Sequence, residues 1–185
     1  MKPVRVWTKQ HRGALDILRR TGRYTARREY IQSDLQECAP LVLTPYDWLV
    51  THSPAAARRP ADAEYPVWVS FRADAAMLPD DGSAVLELEL DSSEITRINI
   101  AKWGAILNYA YLPADPADKA RHAALLRRCG VSDAKAMMTP FYPELQQEIL
   151  SSWERLFDDR VQLGNTYSYG TIWEIRQEWI VSIKP

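Results

Sequence analysis

The stretch Ala84–Leu90, AVLELEL, most constrains the fold: three leucines (Leu86, Leu88, Leu90) alternate strictly with Val85, Glu87 and Glu89. Period-two alternation puts one set of side chains on each face of a pleated strand, so this segment reads as a strand with one face in a core. Asp91-Ser92-Ser93 ends it with turn formers whose side chains bond their own backbone. Beyond the turn Trp103, Ile106, Leu107 and Ala110 recur at helical spacing, which predicts a short helix packing back on the sheet.

Strands are also predicted over Pro3–Thr8, Val67–Arg72, Tyr169–Ile175 and Ile180–Ile183. The Val67–Arg72 and Ala84–Leu90 strands are candidates to pair. A helix over Gln10–Thr21 carries Arg19 and Arg20 in its last turn and stops at Gly22. Thr44-Pro45-Tyr46-Asp47 has the form of an N-cap, an N1 proline and an N3 acid, predicting a helix from Pro45 to about Thr51. Asp115-Pro116-Ala117-Asp118 repeats that form and opens a helix that ends at Gly130. Pro143 opens the longest helix, to about Asp158, with Leu145, Ile149 and Trp153 as its apolar stripe. Arg23–Ala39 reads equally as a polar helix or as a strand running into one. Ser53–Pro66, rich in Pro and Ala and without a period, reads as a mobile surface loop. Strands and helices alternate irregularly, so the expected class is α+β: a mixed, mostly antiparallel sheet of about five or six strands flanked by four or five helices, in a single domain over 1–185.

With Lys+Arg 23 against Asp+Glu 24, no global charge drives the chain toward nucleic acid or an anionic membrane. The absence of a long apolar run and of Cys-x-x-Cys predicts a cytoplasmic protein with reduced thiols at Cys38 and Cys129, and no membrane partner. None of His11, His52 and His122 stands at metal-ligand spacing from a Cys or carboxylate, so all three read as surface histidines. The unusual total is aromatic: Trp 7 and Tyr 9 against Phe 3, which suits either a core with polar edges or a pocket for a flat ligand.

Candidate chemistry lies on the strand faces. Arg5 and Trp7 share one face of the first strand, and Trp68, Ser70 and Arg72 share one face of the middle strand. An Arg beside a Trp can clamp a phosphate and stack a base, so Arg5, Trp7, Thr8, Trp68, Ser70 and Arg72 are the candidate ligand-binding residues. The alternative is that both indoles lie under helices while the arginines reach solvent. In the closing strand Tyr169, Thr171, Trp173 and Ile175 fall on one face, with Ile172 and Glu174 on the other. Glu174 is a general-base candidate if buried, and merely solvated if its strand is an edge. Arg19-Arg20, Arg27-Arg28, Arg58-Arg59 and Arg127-Arg128, with Tyr24, Tyr30 and Tyr65 between them, allow a nucleic-acid face or simply solvated helix ends.

Val6-Trp7-Thr8, Tyr46-Asp47-Trp48, Pro66-Val67-Trp68, Leu86–Leu90, Trp103, Leu107-Asn108, Ser152-Trp153-Glu154, Phe157-Asp158 and Thr171–Glu174 together resemble a bacterial family of unknown function and about this length. That resemblance implies no activity. A looser one, to the ADP-ribosyltransferase-like superfamily, is carried by the strand–helix–Gly opening over Val4–Gly22 and by the closing Ile180-Val181-Ser182-Ile183. It implies an NAD cofactor held by Arg5 or Trp7 and by Ser70, with the catalytic acid near Tyr169. Tyr169 is no acid, and Glu174 is the nearest one in that strand, so the catalytic candidates are Glu174 and Tyr169. Three functions stay open: a nucleotide- or nucleic-acid-binding module with a Trp/Arg-lined cleft, an NAD-dependent ADP-ribosyltransferase-like enzyme, and an interaction subunit with a protein partner, as in a toxin–antitoxin or defence pair.

Overall fold

The computed structural model describes residues 2–29, 39–76, 78 and 80–184. Tyr30 and Cys38 therefore lie outside the described residues. In order, the elements are β1 (Pro3–His11), α1 (Arg12–Thr21), β2 (Arg23–Tyr24), α2 (Ala39–His52), β3 (Val67–Ser70), β4 (Ser83–Asp91), β5 (Thr96–Asn99), α3 (Ile100–Leu107), α4 (Pro116–Cys129), α5 (Asp133–Met138), α6 (Pro143–Ser152), β6 (Ser168–Ile172), β7 (Ile175–Arg176) and β8 (Ile180–Lys184). The six strands β5-β6-β3-β1-β4-β8 form one sheet, and β2 and β7 form a second, which makes the class α+β. Two compact units are distinguished: Met1–Arg97 with Ser168–Pro185, and Ile98–Tyr167.

In the first unit β4 is the long strand its alternation predicts. It pairs antiparallel along the whole of β1, with Val6 opposite Leu88 and Thr8 opposite Leu86. Val4, Val6, Leu86, Leu88 and Leu90 therefore share a face with Val67 and Val69 of β3, and Ala14, Leu15 and Leu18 of α1 pack on it. The expected pairing of β3 with β4 is not what forms, because β1 lies between them. A connection too long for a hairpin leaves room for the first strand to insert, and β1 then buries both of its edges. Gly22 stops α1 at φ 78 and donates its N–H to the Leu18 carbonyl, the left-handed cap its position predicts. On β6, Gly170 faces Val69 so closely that a Cβ would stand 2.8 Å from Val69 and 2.5 Å from Ile95.

Three local expectations are corrected. α2 begins at Ala39 rather than at Pro45, which sits inside the helix. An interior proline forfeits one backbone hydrogen bond, and burial of Leu43, Trp48, Leu49 and Val50 along the helix outweighs that loss. The closing strand breaks after Ile172, so that Ile175 joins the same core as Ile172 instead of the opposite face. The helix expected around Trp103 forms as α3 (Ile100–Leu107), and ahead of it the chain adds a 3₁₀ turn over Ser92–Glu94 and β5, which the sequence pattern does not predict. Within 53–66, the chain makes a 3₁₀ turn over Ala56–Arg58 and buries Ala55, Ala63 and Tyr65 beside Trp173, whose indole N–H donates to the Ala55 carbonyl at 2.8 Å.

The second unit is helical. Asp115 caps α4 by accepting the Asp118 N–H, Pro116 follows at the first turn, and Gly130 ends the helix at φ 64. α6 gives way at Ser152 to a 3₁₀ turn over Trp153–Phe157, and Leu145, Ile149, Trp153 and Leu156 form the predicted buried stripe. Lys102 is buried with its ammonium donating to the Arg155 and Asp158 carbonyls at 2.8 Å each, closing the end of that turn. Burial lowers its pKa, with Asp159 and Asp158 opposing.

Candidate functional site

Alternation and register together place the candidate residues. Trp7 stands opposite Ser70 in the β1–β3 pairing, so both side chains point to the same face of the sheet. By the period of two, Arg5 and Lys9 share that face on β1, and Trp68 shares it on β3. Arg5 and Trp7 on β1, and Trp68 and Ser70 on β3, thus share a face, while Arg72 lies past the end of β3. Thr8 points the other way, buried, and its hydroxyl donates to the Trp68 carbonyl at 2.7 Å while accepting from Gln10.

Past that hydroxyl, a pocket of about 530 Å³ is lined by the end of β1, the first turns of α1 and the start of β3. Lys9 and His11 enter from β1, Gly13 and Ile17 from α1, Tyr24 and Arg27 from the segment around β2, Tyr46 from α2 and Trp68 from β3. The Tyr46 and Trp68 rings meet edge to face, 6.4 Å apart. Burial pushes the Tyr46 phenol above its ordinary range, and a hydrogen bond from Trp68 partly opposes the shift. His11 caps α1 by accepting the Gly13 N–H on Nδ1 at 3.2 Å. No acidic side chain lines the pocket among the described residues. Lys9 does reach a carboxylate, Asp80, at 2.7 Å, and that ammonium with Ser83 and the Gly82 N–H holds Asp80 down at about 2. Arg27 is exposed and makes no ion pair among the described residues.

The other sequence candidates stand elsewhere. Arg5 is clamped across the ladder by Glu87 at 2.9 Å and Glu89 at 3.1 Å, and does not line the pocket. Arg72 pairs with Asp74 at 2.5 Å, and the Ser70 hydroxyl donates to the Arg72 carbonyl at 2.8 Å while accepting its N–H. The Tyr169 hydroxyl donates to the Ala75 carbonyl at 3.1 Å. Glu174 is only 12% exposed at its side chain and lies between two guanidinium groups, Arg23 at 2.8 Å and Arg176 at 2.7 Å. Arg23 also holds Asp62, at 3.1 Å. Of the residues the sequence offers as candidates for binding and catalysis, only Trp68 lines the pocket, with Thr8 bonded to its backbone. Lys9 and Tyr46 are not among the ligand-binding candidates the sequence offers, His11 figures there only as a surface histidine, and Arg27 only within the Arg27-Arg28 pair of a possible nucleic-acid face. Lys9 was findable as the next residue on the Arg5–Trp7 face, whereas nothing local marks Tyr46.

The second unit holds a polar cluster. His122, read from sequence as a surface residue, is 4% exposed. Its Nε2 lies 2.7 Å from Asp133 and its Nδ1 3.0 Å from Glu148, and the Tyr111 ring stacks on it at 3.9 Å. Asp118 gathers the Ala114 N–H, the Tyr111 hydroxyl, Arg121 and Arg155. The cluster ties α4, α5 and α6 together.

An antiparallel sheet with α1 packed on its core face, and a cationic, aromatic pocket where β1 and β3 meet α1, defines an α+β protein with a candidate ligand site. The chain belongs to the family DUF3841, a domain of unknown function, whose model matches residues 5–181. No curated protein and no solved structure matches it. No helix among the described residues is long and apolar enough to cross a membrane.

Proposed function

We propose that this protein is a binding module for a nucleotide or nucleic-acid group, taken in the pocket between β1, α1 and β3. One observation carries the reading: an edge-to-face pair of rings, Tyr46 and Trp68, shares a pocket with Lys9 and Arg27 and with no acidic lining residue. Flat rings stack on aromatic faces, and a phosphate accepts the two parallel N–H groups of a guanidinium. A volume of about 530 Å³ falls in the range of small-ligand sites. The reading is preferred to an NAD-dependent transferase because Glu174, the acid such a reaction requires, is held by Arg23 and Arg176 outside the pocket lining.

The test is tryptophan fluorescence during titration with nucleoside monophosphates and short oligonucleotides. Saturable quenching is expected, reduced in Trp68→Phe because that indole is the reporter in the pocket. Emission unchanged to about 5 mM nucleotide, a concentration beyond any specific small-ligand site, would remove the reading.

A further inference from the structure

We infer that the pocket takes a single nucleotide through its terminal phosphate, with Arg27 as the phosphate contact, and not a continuous strand. The inference rests on the binding reading above and narrows it to one ligand class.

Single-stranded nucleic acid is held by a groove with successive aromatic platforms and a run of cations that follows the backbone. The ring pair here is one corner, Tyr46 against Trp68, inside one pocket. The arginines that could extend a track from it are already occupied by carboxylates: Arg28 by Asp47 at 3.5 Å, Arg23 by Asp62 and Glu174, Arg5 by Glu87 and Glu89, and Arg72 by Asp74. Each of them would have to leave its partner to reach a phosphate. Lys9 stands under the same constraint through Asp80. Arg27 does not, since no carboxylate holds it among the described residues, and it lines the pocket beside the rings. The chemistry that fits is therefore one flat base and one dianionic terminal phosphate on a guanidinium.

Calorimetry on the full chain separates the cases, with adenosine and guanosine 5′-monophosphates, the two nucleosides, and an unphosphorylated oligonucleotide of about ten nucleotides as probes. The monophosphates are expected to bind ~10-fold or more tightly than the nucleosides, the size of one charged hydrogen-bonding contact. Arg27→Ala should erase that difference, and Arg27→Lys should keep part of it. Affinity should fall with salt only by ordinary screening of one ion pair, because a single nucleotide carries no condensed counterion layer to release. Nucleosides binding as tightly as monophosphates would overturn the inference, as would Arg27→Ala preserving the difference. So would an oligonucleotide that outbinds the monophosphates with a log–log salt slope of about −3 or steeper, although the broader binding reading would then stand. Binding of none of the probes removes both.

Discussion

Trp153→Ala is expected to cost about 3–5 kcal/mol, the range for emptying a buried aromatic position. Trp153 is 0% exposed, heads the stripe with Leu145, Ile149 and Leu156, and donates its indole N–H to the Ala110 carbonyl at 2.9 Å. Removing it opens a cavity and also takes away that carbonyl's indole donor. For a chain of this length the thermal midpoint should fall by roughly 10 °C. Phe141→Ala, which removes an exposed ring, should stay within about 0.5 kcal/mol. Denaturant melts of the two variants check this. A Trp153→Ala loss below about 1 kcal/mol would mean that the indole is not the centre of that unit's core.

The second large effect concerns His122. Replacing it with leucine, a side chain of similar bulk, removes the imidazole nitrogens that stand 2.7 Å from Asp133 and 3.0 Å from Glu148. Leaving a buried polar group without its partner costs about 1–3 kcal/mol. Because the carboxylates keep 20% and 27% side-chain exposure, we expect about 2 kcal/mol at neutral pH. Adding Glu148→Gln to His122→Leu should cost less than the two single losses summed, the signature of a shared network. Acid sensitivity follows from the same cluster. Burial alone would raise the Asp118 pKa, but the Ala114 N–H, Arg121, Tyr111 and Arg155 outweigh it and hold the value at about 2, against 3.8 for the free group. A depressed carboxylate pKa gives stability that is full above the unfolded value and is lost as pH falls through the folded one. About 2 kcal/mol should therefore disappear between about pH 4 and pH 2. Asp118→Asn should lose that increment at neutral pH and flatten the dependence across the same window. An unchanged acid slope in Asp118→Asn would contradict the assignment.

What the sequence disclosed follows from how local each signal is. The alternation of Leu86, Leu88 and Leu90 and the cap of α4 at Asp115 and Gly130 are written in adjacent residues, and both elements form as their residues predict. The common face of Trp7 and Ser70 needed one further fact, the register of β1 on β3, which alternation cannot supply. His122 was misread because its partners stand 11 and 26 residues away, on separate helices. The start of α2 was misplaced because Thr44-Pro45 imitates a cap inside a longer apolar run. The pocket was only partly legible for the same reason: Lys9, Arg27, Tyr46 and Trp68 come from four segments, and their neighbours mark only Trp68 as a ligand candidate and Arg27 as half of a basic pair.

The most direct measurement of the central claim is a calorimetric titration of Gly13→Trp with a nucleoside monophosphate. Gly13 lines the pocket at the start of α1, and a Cβ added there meets nothing nearer than His11 Nδ1 at 3.5 Å, so a large side chain can be introduced at the pocket lining without a clash at its Cβ. Folding stability should remain within about 1 kcal/mol of the parent. The account predicts that binding seen with the parent chain disappears in the variant. Nucleotide bound by a well-folded Gly13→Trp with the parent's affinity would contradict it.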